Sequence, residues 1–172
     1  MKQYVYKLNR NYSNYAIHKS LSYWLKPDND ERILFAKINE TMYIQGLRNF
    51  DSSLIPKKFA ALERIIELPE YENGQIIELF AMVNPTKRIN IYAKRVGLSK
   101  NEIGAWLQRK FDKIAEILDY NILYGTKVEL YLNAYDICIL MKIISPELLK
   151  NIFQKGFGSA KFCGFGMLRC ER

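Results

Sequence analysis

Lys2-Gln3-Tyr4-Val5-Tyr6-Lys7-Leu8-Asn9-Arg10-Asn11-Tyr12-Ser13-Asn14-Tyr15-Ala16-Ile17-His18-Lys19-Ser20-Leu21-Ser22-Tyr23-Trp24-Leu25 is the stretch on which the fold turns. Residues 3–9 read as a strand, and Asn9-Arg10-Asn11 supplies turn chemistry. From Asn14 to Leu25 the apolar period lengthens to that of a helix, with Ser13 as its N-cap. A strand running into a helix within 25 residues is the opening of a β-α unit. Lys26-Pro27-Asp28-Asn29-Asp30 then breaks the helix.

Working outward, Arg32–Ile38 and Met42–Leu47 are strand-like and joined by Asn39-Glu40-Thr41, a hairpin signal. Residues 58–67 read either as a short helix or as an irregular crossover. After the turn Glu72-Asn73-Gly74, Gln75–Val83 is another strand, ended by Asn84-Pro85. This order is the βαββαβ plan of a ferredoxin-like domain.

The rest of the chain repeats it. Ile89–Arg95 is a strand candidate, and Ser99–Leu118 reads as a long helix capped by Ser99 and Glu102. Its apolar stripe is Ile103, Leu107, Phe111, Ile114 and Leu118. Short strands follow around Tyr120–Leu123, Lys127–Leu132 and Tyr135–Ile144. A helix at Pro146–Lys155 has Ser145 as cap and proline at its first position. Phe165–Cys170 closes as a strand. The expected architecture is therefore α+β, two tandem ferredoxin-like (RRM-like) βαββαβ domains packed together. Residues 1–86 would carry the Tyr/His helix, and 87–172 a glycine-rich loop.

Composition narrows the function. The 172 residues are 49% hydrophobic and 26% charged, as in an ordinary globular chain, and hold no apolar run long enough to span a bilayer. The N-terminus lacks the charged region and apolar core of a signal peptide, so a cytoplasmic home is expected. Cys138, Cys163 and Cys170 show no CxxC spacing and have a single histidine to join them, so neither a metal nor a small-molecule cofactor is expected. Lys and Arg number 26 against 18 acids, a net charge of +8, alongside 12 Tyr and 9 Phe. That balance suits a polyanion, with nucleic acid the first candidate.

Two constellations carry chemistry. On a helical wheel Ile17, Leu21, Trp24 and Leu25 share the core stripe, while Tyr15, His18, Lys19 and Ser22 gather on the flank. A lone histidine is by itself compatible with a structural role. Imidazole, phenol and amine together are the groups that RNA cleavage by proton transfer requires. RNA brings its own nucleophile, the 2′-hydroxyl, and the products would be a 2′,3′-cyclic phosphate and a 5′-hydroxyl. The second constellation is Lys155-Gly156-Phe157-Gly158-Ser159-Ala160-Lys161-Phe162-Cys163-Gly164-Phe165-Gly166, with four of the chain's nine glycines. Glycines allow backbone amides to approach a phosphate closely. The stretch is neither a Walker loop nor a dinucleotide fingerprint, because it leaves a helix and enters a strand. A basic face of the long helix, with Arg109, Lys110 and Lys113, is a further RNA-facing candidate. Asp28, Asp30 and Glu31 read as a solvated acidic turn in preference to a magnesium site.

Four elements in this order resemble the CasE-type CRISPR RNA-processing endoribonucleases of type I-E systems. They are Tyr15-Ala16-Ile17-His18 with Leu21, Asn84-Pro85-Thr86-Lys87-Arg88, Ala105-Trp106-Leu107-Gln108-Arg109-Lys110-Phe111, and the loop from Gly156 to Leu168. The chain would be a compact member. The resemblance implies metal-independent cleavage of CRISPR repeat RNA at the 3′ base of its hairpin, after which the enzyme stays bound as a Cascade subunit. It implies His18 as general acid or base, Tyr15 as its partner, and Lys19 as the basic residue near the scissile phosphate. It places Gly156, Gly158 and Lys161 on the RNA backbone, with Lys155, Arg109, Lys110, Lys87 and Arg88 as further RNA-binding residues. The alternative is a hairpin-binding subunit, or a mimic of one, that cuts weakly or not at all. A generic RNA-binding protein of two RRM-like halves is opposed by the lack of an RNP-type aromatic run.

Overall fold

A computed structural model describes residues 1–27, 32–45, 50–89, 95–128 and 132–171. The first strand, β1 (Lys2–Leu8), leads into helix α1 (Asn14–Leu25) and the hairpin β2 (Leu34–Ile38) and β3 (Thr41–Gln45). The hairpin turn is two residues, Asn39-Glu40, and Asn39 takes the left-handed backbone at φ 53°. Among the described residues no second helix follows before the next strand. A single 3-10 turn at Ser52–Leu54 leads to β4 (Ala60–Glu67), which pairs antiparallel with β1. The residues read as a short helix or a crossover are thus an edge strand.

The sheet order is β2-β3-β1-β4, and both faces are covered. On one face Tyr6, Phe35, Met42 and Ile44 pack against Ile17 and Leu21 of α1. On the other, Val5, Leu34, Ala36 and Tyr43 pack against Met167 near the C-terminus. Burial on both faces explains why Leu34–Ala36 and Met42–Gln45 are apolar or buried runs that do not alternate with polar residues.

The second sheet starts with β5 (Ile76–Val83), which pairs with β9 (Leu132–Ile143) and with the two-residue β10 (Leu168–Arg169). Its order is β10-β5-β9-β8, with β8 spanning Ala115–Val128. Residues 76–83, read as closing the first half, therefore open the second, and a division after residue 86 would cut this sheet from a central strand. In each half the first and third strands lie in the centre of the sheet, as the ferredoxin-like plan requires. Helices α2 (Ile103–Lys110) and α3 (Pro146–Lys155) cover the second sheet through Ile103, Trp106, Leu107, Leu149 and Phe153. Between β5 and α2, β6 (Thr86–Arg88) pairs with β7 (Arg95–Gly97). Most of the strand expected at Ile89–Arg95 lies outside the described residues, as do Asp28, Asp30 and Glu31.

The helix expected over Ser99–Leu118 is shorter. The capping box of Ser99 and Glu102 forms as expected, but α2 ends at Lys110, and Lys113 adopts φ 61°. From Ala115 the chain instead pairs with β9, whose Ile137, Ile139 and Met141 are fully buried. A ladder along buried residues outweighs a helical spacing that continues for about two more turns. Leu118, at a register shift of that ladder, is 43% exposed. The expected short strands are two long arms of one hairpin, while the closing strand shrinks to Leu168–Arg169.

Buried polar groups lock the halves together. Gln3 Nε2 donates to the Gln45 side chain and to the Leu168 carbonyl, and Gln45 Nε2 donates to the Phe153 carbonyl at 2.6 Å. Arg169, fully buried, meets Asp136 at 2.6 Å and lies over the Tyr43 ring. None of the three cysteines is in a disulfide. No helix among the described residues is long and apolar enough to cross a membrane.

Candidate active site

Helix α1 presents the first constellation. Ser13 accepts from the Ala16 amide at 3.1 Å, which starts the helix where the cap residue stands. Ile17 and Leu21 are wholly buried, turning the flank with Tyr15, His18 and Lys19 outward. Asn14 Nδ2 donates to the Cys163 carbonyl at 2.7 Å, joining this helix to the glycine-rich loop.

The loop is held from both ends. Phe157 N donates to Gly166 O at 2.9 Å, and Gly166 N donates to Met82 O at 2.7 Å, so the loop is pinched shut against β5. Gly166 has φ 79°, and a Cβ there would lie 1.8 Å from the Phe157 oxygen. Only glycine fits. Ala160 and Gly164, both left-handed, bracket a 3-10 turn at Lys161–Cys163 that carries Lys161 and Phe162 toward α1.

Between helix and loop lies a cavity of about 480 Å³ lined by His18, Ser22, Arg32, Gly158, Lys161 and Phe162, among others. His18 is half-buried in its wall, with its ring edge-on to Phe162 at 6.1 Å and 75°. The Lys161 ammonium donates to Lys155 O at 2.8 Å and to Gly156 O at 2.9 Å, capping the last turn of α3. Burial holds its pKa below the ordinary lysine value, and the charges of Arg32 and Lys110 push the same way. The cations converge on the loop.

A second cavity, about 230 Å³, opens on the other side of Gly158. Lys87, Arg88, Arg95, Trp106, Lys110 and Ser159 line it. Ser159 Oγ donates to Asn84 O at 2.8 Å, which ties the loop to the segment bearing Lys87 and Arg88. Lys87 is bound at 2.5 Å by Glu102, whose carboxyl is pulled down to about 2 by that contact and by the Ser99 amide and hydroxyl.

The fold thus brings His18, Gly158 and Lys161 to one cavity, and Lys87, Arg88 and Lys110 to its neighbour. Other expected site residues stand apart. Tyr15, one turn before His18, is 65% exposed and does not line the cavity, nor does the exposed Lys19. Gly156 is buried against Leu34 and Gly166, so it shapes the loop and offers its carbonyl to Lys161. The Lys155 and Arg109 side chains are exposed and line neither cavity. Arg32, Phe162 and Arg95 escaped the sequence reading. Arg32 opens a strand-like run and Phe162 lies within the glycine-rich stretch, and neither carries a local mark of function. Among the described residues, no three His, Cys, Asp or Glu side chains gather as a metal site.

No family model and no curated protein matches the chain. Solved structures do. A structure of the CRISPR endoribonuclease Cse3 bound to a 19-nucleotide RNA is similar at TM-score 0.86 and 24% identity, covering 98% of this chain and 97% of that one. The CRISPR-associated protein Cas6e of Escherichia coli K-12 is similar at TM-score 0.72 and 21% identity, over 98% of each. A chain of E. coli Cascade bound to a PAM-containing double-stranded DNA target is similar at 0.61 and 19%, over 98% and 97%. At these identities the likeness is one of fold, and this chain has the two-domain ferredoxin-like fold of those structures.

Proposed function

We propose that the chain is a metal-independent endoribonuclease that cuts CRISPR repeat RNA at the 3′ base of its hairpin. It acts in the cytoplasm and stays with its product as a Cascade subunit. One observation carries the reading. The chain's single histidine lines a cavity together with Arg32 and Lys161, in a fold shared with an RNA-bound CRISPR endoribonuclease.

The chemistry follows from the groups present. The ribose 2′-oxygen attacks the adjacent phosphorus in line, its proton leaves, and the bond to the 5′-oxygen breaks as that oxygen gains a proton. His18 serves one of these transfers, because an imidazole carries protons near neutrality. Arg32 and Lys161 offset the charge that builds on the phosphate oxygens. Tyr15 and Lys19, exposed on the His18 helix outside the cavity, meet the RNA that runs past it. The basic cavity with Lys87, Arg88, Arg95 and Lys110 holds the stem by its phosphates, as a shape-read A-form helix requires. The N-terminal half supplies proton transfer and the C-terminal half the grip.

The exposed position of Tyr15 favours a second reading, a hairpin-binding subunit that does not cut. Incubation with the host's repeat RNA in EDTA separates the two. A 5′-hydroxyl and a 2′,3′-cyclic phosphate are expected on the products. Tight binding with intact RNA selects the second reading, and cutting that EDTA abolishes overturns the first.

A further inference from the structure

Phe162 is 56% exposed, although it sits in a turn held by left-handed backbone at both ends and anchored to α1 through Asn14. One exposed apolar ring is ordinary by itself. What marks this one is its surroundings. Phe162 lines the same cavity as His18, and its ring lies edge-on to the imidazole at 6.1 Å. Arg32 and Lys161 line the cavity too, and Ser22 offers a hydroxyl on the His18 face of α1. An aromatic plane, two cations and an imidazole are what the parts of one nucleotide would meet. The base stacks on the ring, the phosphate meets the cations, and the sugar hydroxyl faces the histidine. The cavity, at about 480 Å³, is of the size that small-ligand sites have. An apolar protein segment would instead cover the Arg32 and Lys161 cations without supplying a counter-charge, which is costly.

We propose that Phe162 is a substrate-positioning residue, a stacking platform for one unpaired nucleobase beside the bond that is cut. It rests on the cleavage reading above and deepens it. The site would take a splayed, single-stranded nucleotide at the foot of the hairpin, because a base held inside the stem between two stacking neighbours has no free face to offer. Aromatic stacking tolerates any base, so the position is recognised for being unpaired and not for its identity. The stack also fixes the backbone, holding the reacting 2′-oxygen beside His18.

The test uses the whole chain and a synthetic hairpin of the host's repeat, with 2-aminopurine placed singly at each unpaired nucleotide flanking the stem. Bound to the His18→Ala chain, one position should be strongly quenched. Adding Phe162→Ala should remove that quenching, and Phe162→Trp should restore it. With His18 present, Phe162→Ala should slow single-turnover cleavage at subsaturating RNA by about 10-fold, within the range of one lost base stack. An abasic site at the quenched position should slow the unsubstituted chain by the same factor and Phe162→Ala by nothing further. Losses that multiply, or quenching indifferent to Phe162, overturn the proposal. Failure of the cleavage reading looks different: the RNA stays whole while quenching still depends on Phe162.

Discussion

Asn14 donates from Nδ2 to the Cys163 carbonyl at 2.7 Å, so the first residue of the His18 helix holds the turn that carries Lys161 and Phe162. This side-chain bond and the edge-on contact of His18 with Phe162 join two segments nearly 150 positions apart. Asn14→Ala should cost about 1 kcal/mol of stability, the usual net worth of such a bond. Its effect on cleavage should be larger than that figure implies, because small displacements of reacting groups are costly to rate. Urea midpoints and single-turnover rates measured on the same preparation check this. An equal loss in both would show that the bond serves folding alone.

His18→Ala should leave hairpin affinity within a few-fold and lower the cleavage rate by about 100-fold or more, the scale of a lost general acid or base. Tyr15→Phe, which removes only a hydroxyl outside the cavity, should have the smaller effect of the two. Rapid-quench kinetics with a labelled hairpin give both numbers. A Tyr15→Phe defect matching that of His18→Ala would place the phenol in the proton path.

Glu102 accepts from Lys87 and from Ser99, and its carboxyl titrates at about 2, below its unperturbed value of 4.5. A lowered folded-state value means a contribution to stability that is full above pH 4.5 and is lost as pH falls toward 2. Glu102→Ala should therefore be destabilised at pH 7, with the gap from the unsubstituted chain closing in acid. Removing that carboxylate also releases Lys87 toward the basic cavity. RNA binding by the variant should be tighter at low salt and steeper in its salt dependence. Denaturant midpoints across pH and binding across salt test the two halves of this statement.

Asp136 is the partner of Arg169, which is 0% exposed and whose Nε and Nη1 find no acceptor among the described residues. Asp136→Asn should cost about 3–5 kcal/mol, since it leaves a buried guanidinium without its counter-charge. Replacing both members, Arg169→Met with Asp136→Leu, should recover much of that loss. Thermal unfolding of the single and double variants decides the matter. A double variant no better than the single would mean that Tyr43 and the neighbouring sheet require the charge itself.

The local signals were legible in the sequence. Ser13, Ser99 with Glu102, and Ser145 with Pro146 are caps whose geometry depends on three or four adjacent residues, and all three stand where the chain placed them. The α1 wheel set His18 off the core stripe, and the crowding of glycines marked the loop, because periodicity and turn chemistry are short-range. Tertiary pairing decided the rest. Residues 60–67 became a strand only because β1 offered an edge, residues 115–128 a strand because buried β9 lay alongside, and β5 joined whichever sheet could cover it. The same holds for the site. Arg32 and Phe162 carry no local mark, and nothing short of the packed loop shows that they share a cavity with His18. Spacing along a chain determines what a residue's neighbours in its own element are, whereas burial and backbone pairing determine which distant residues face it.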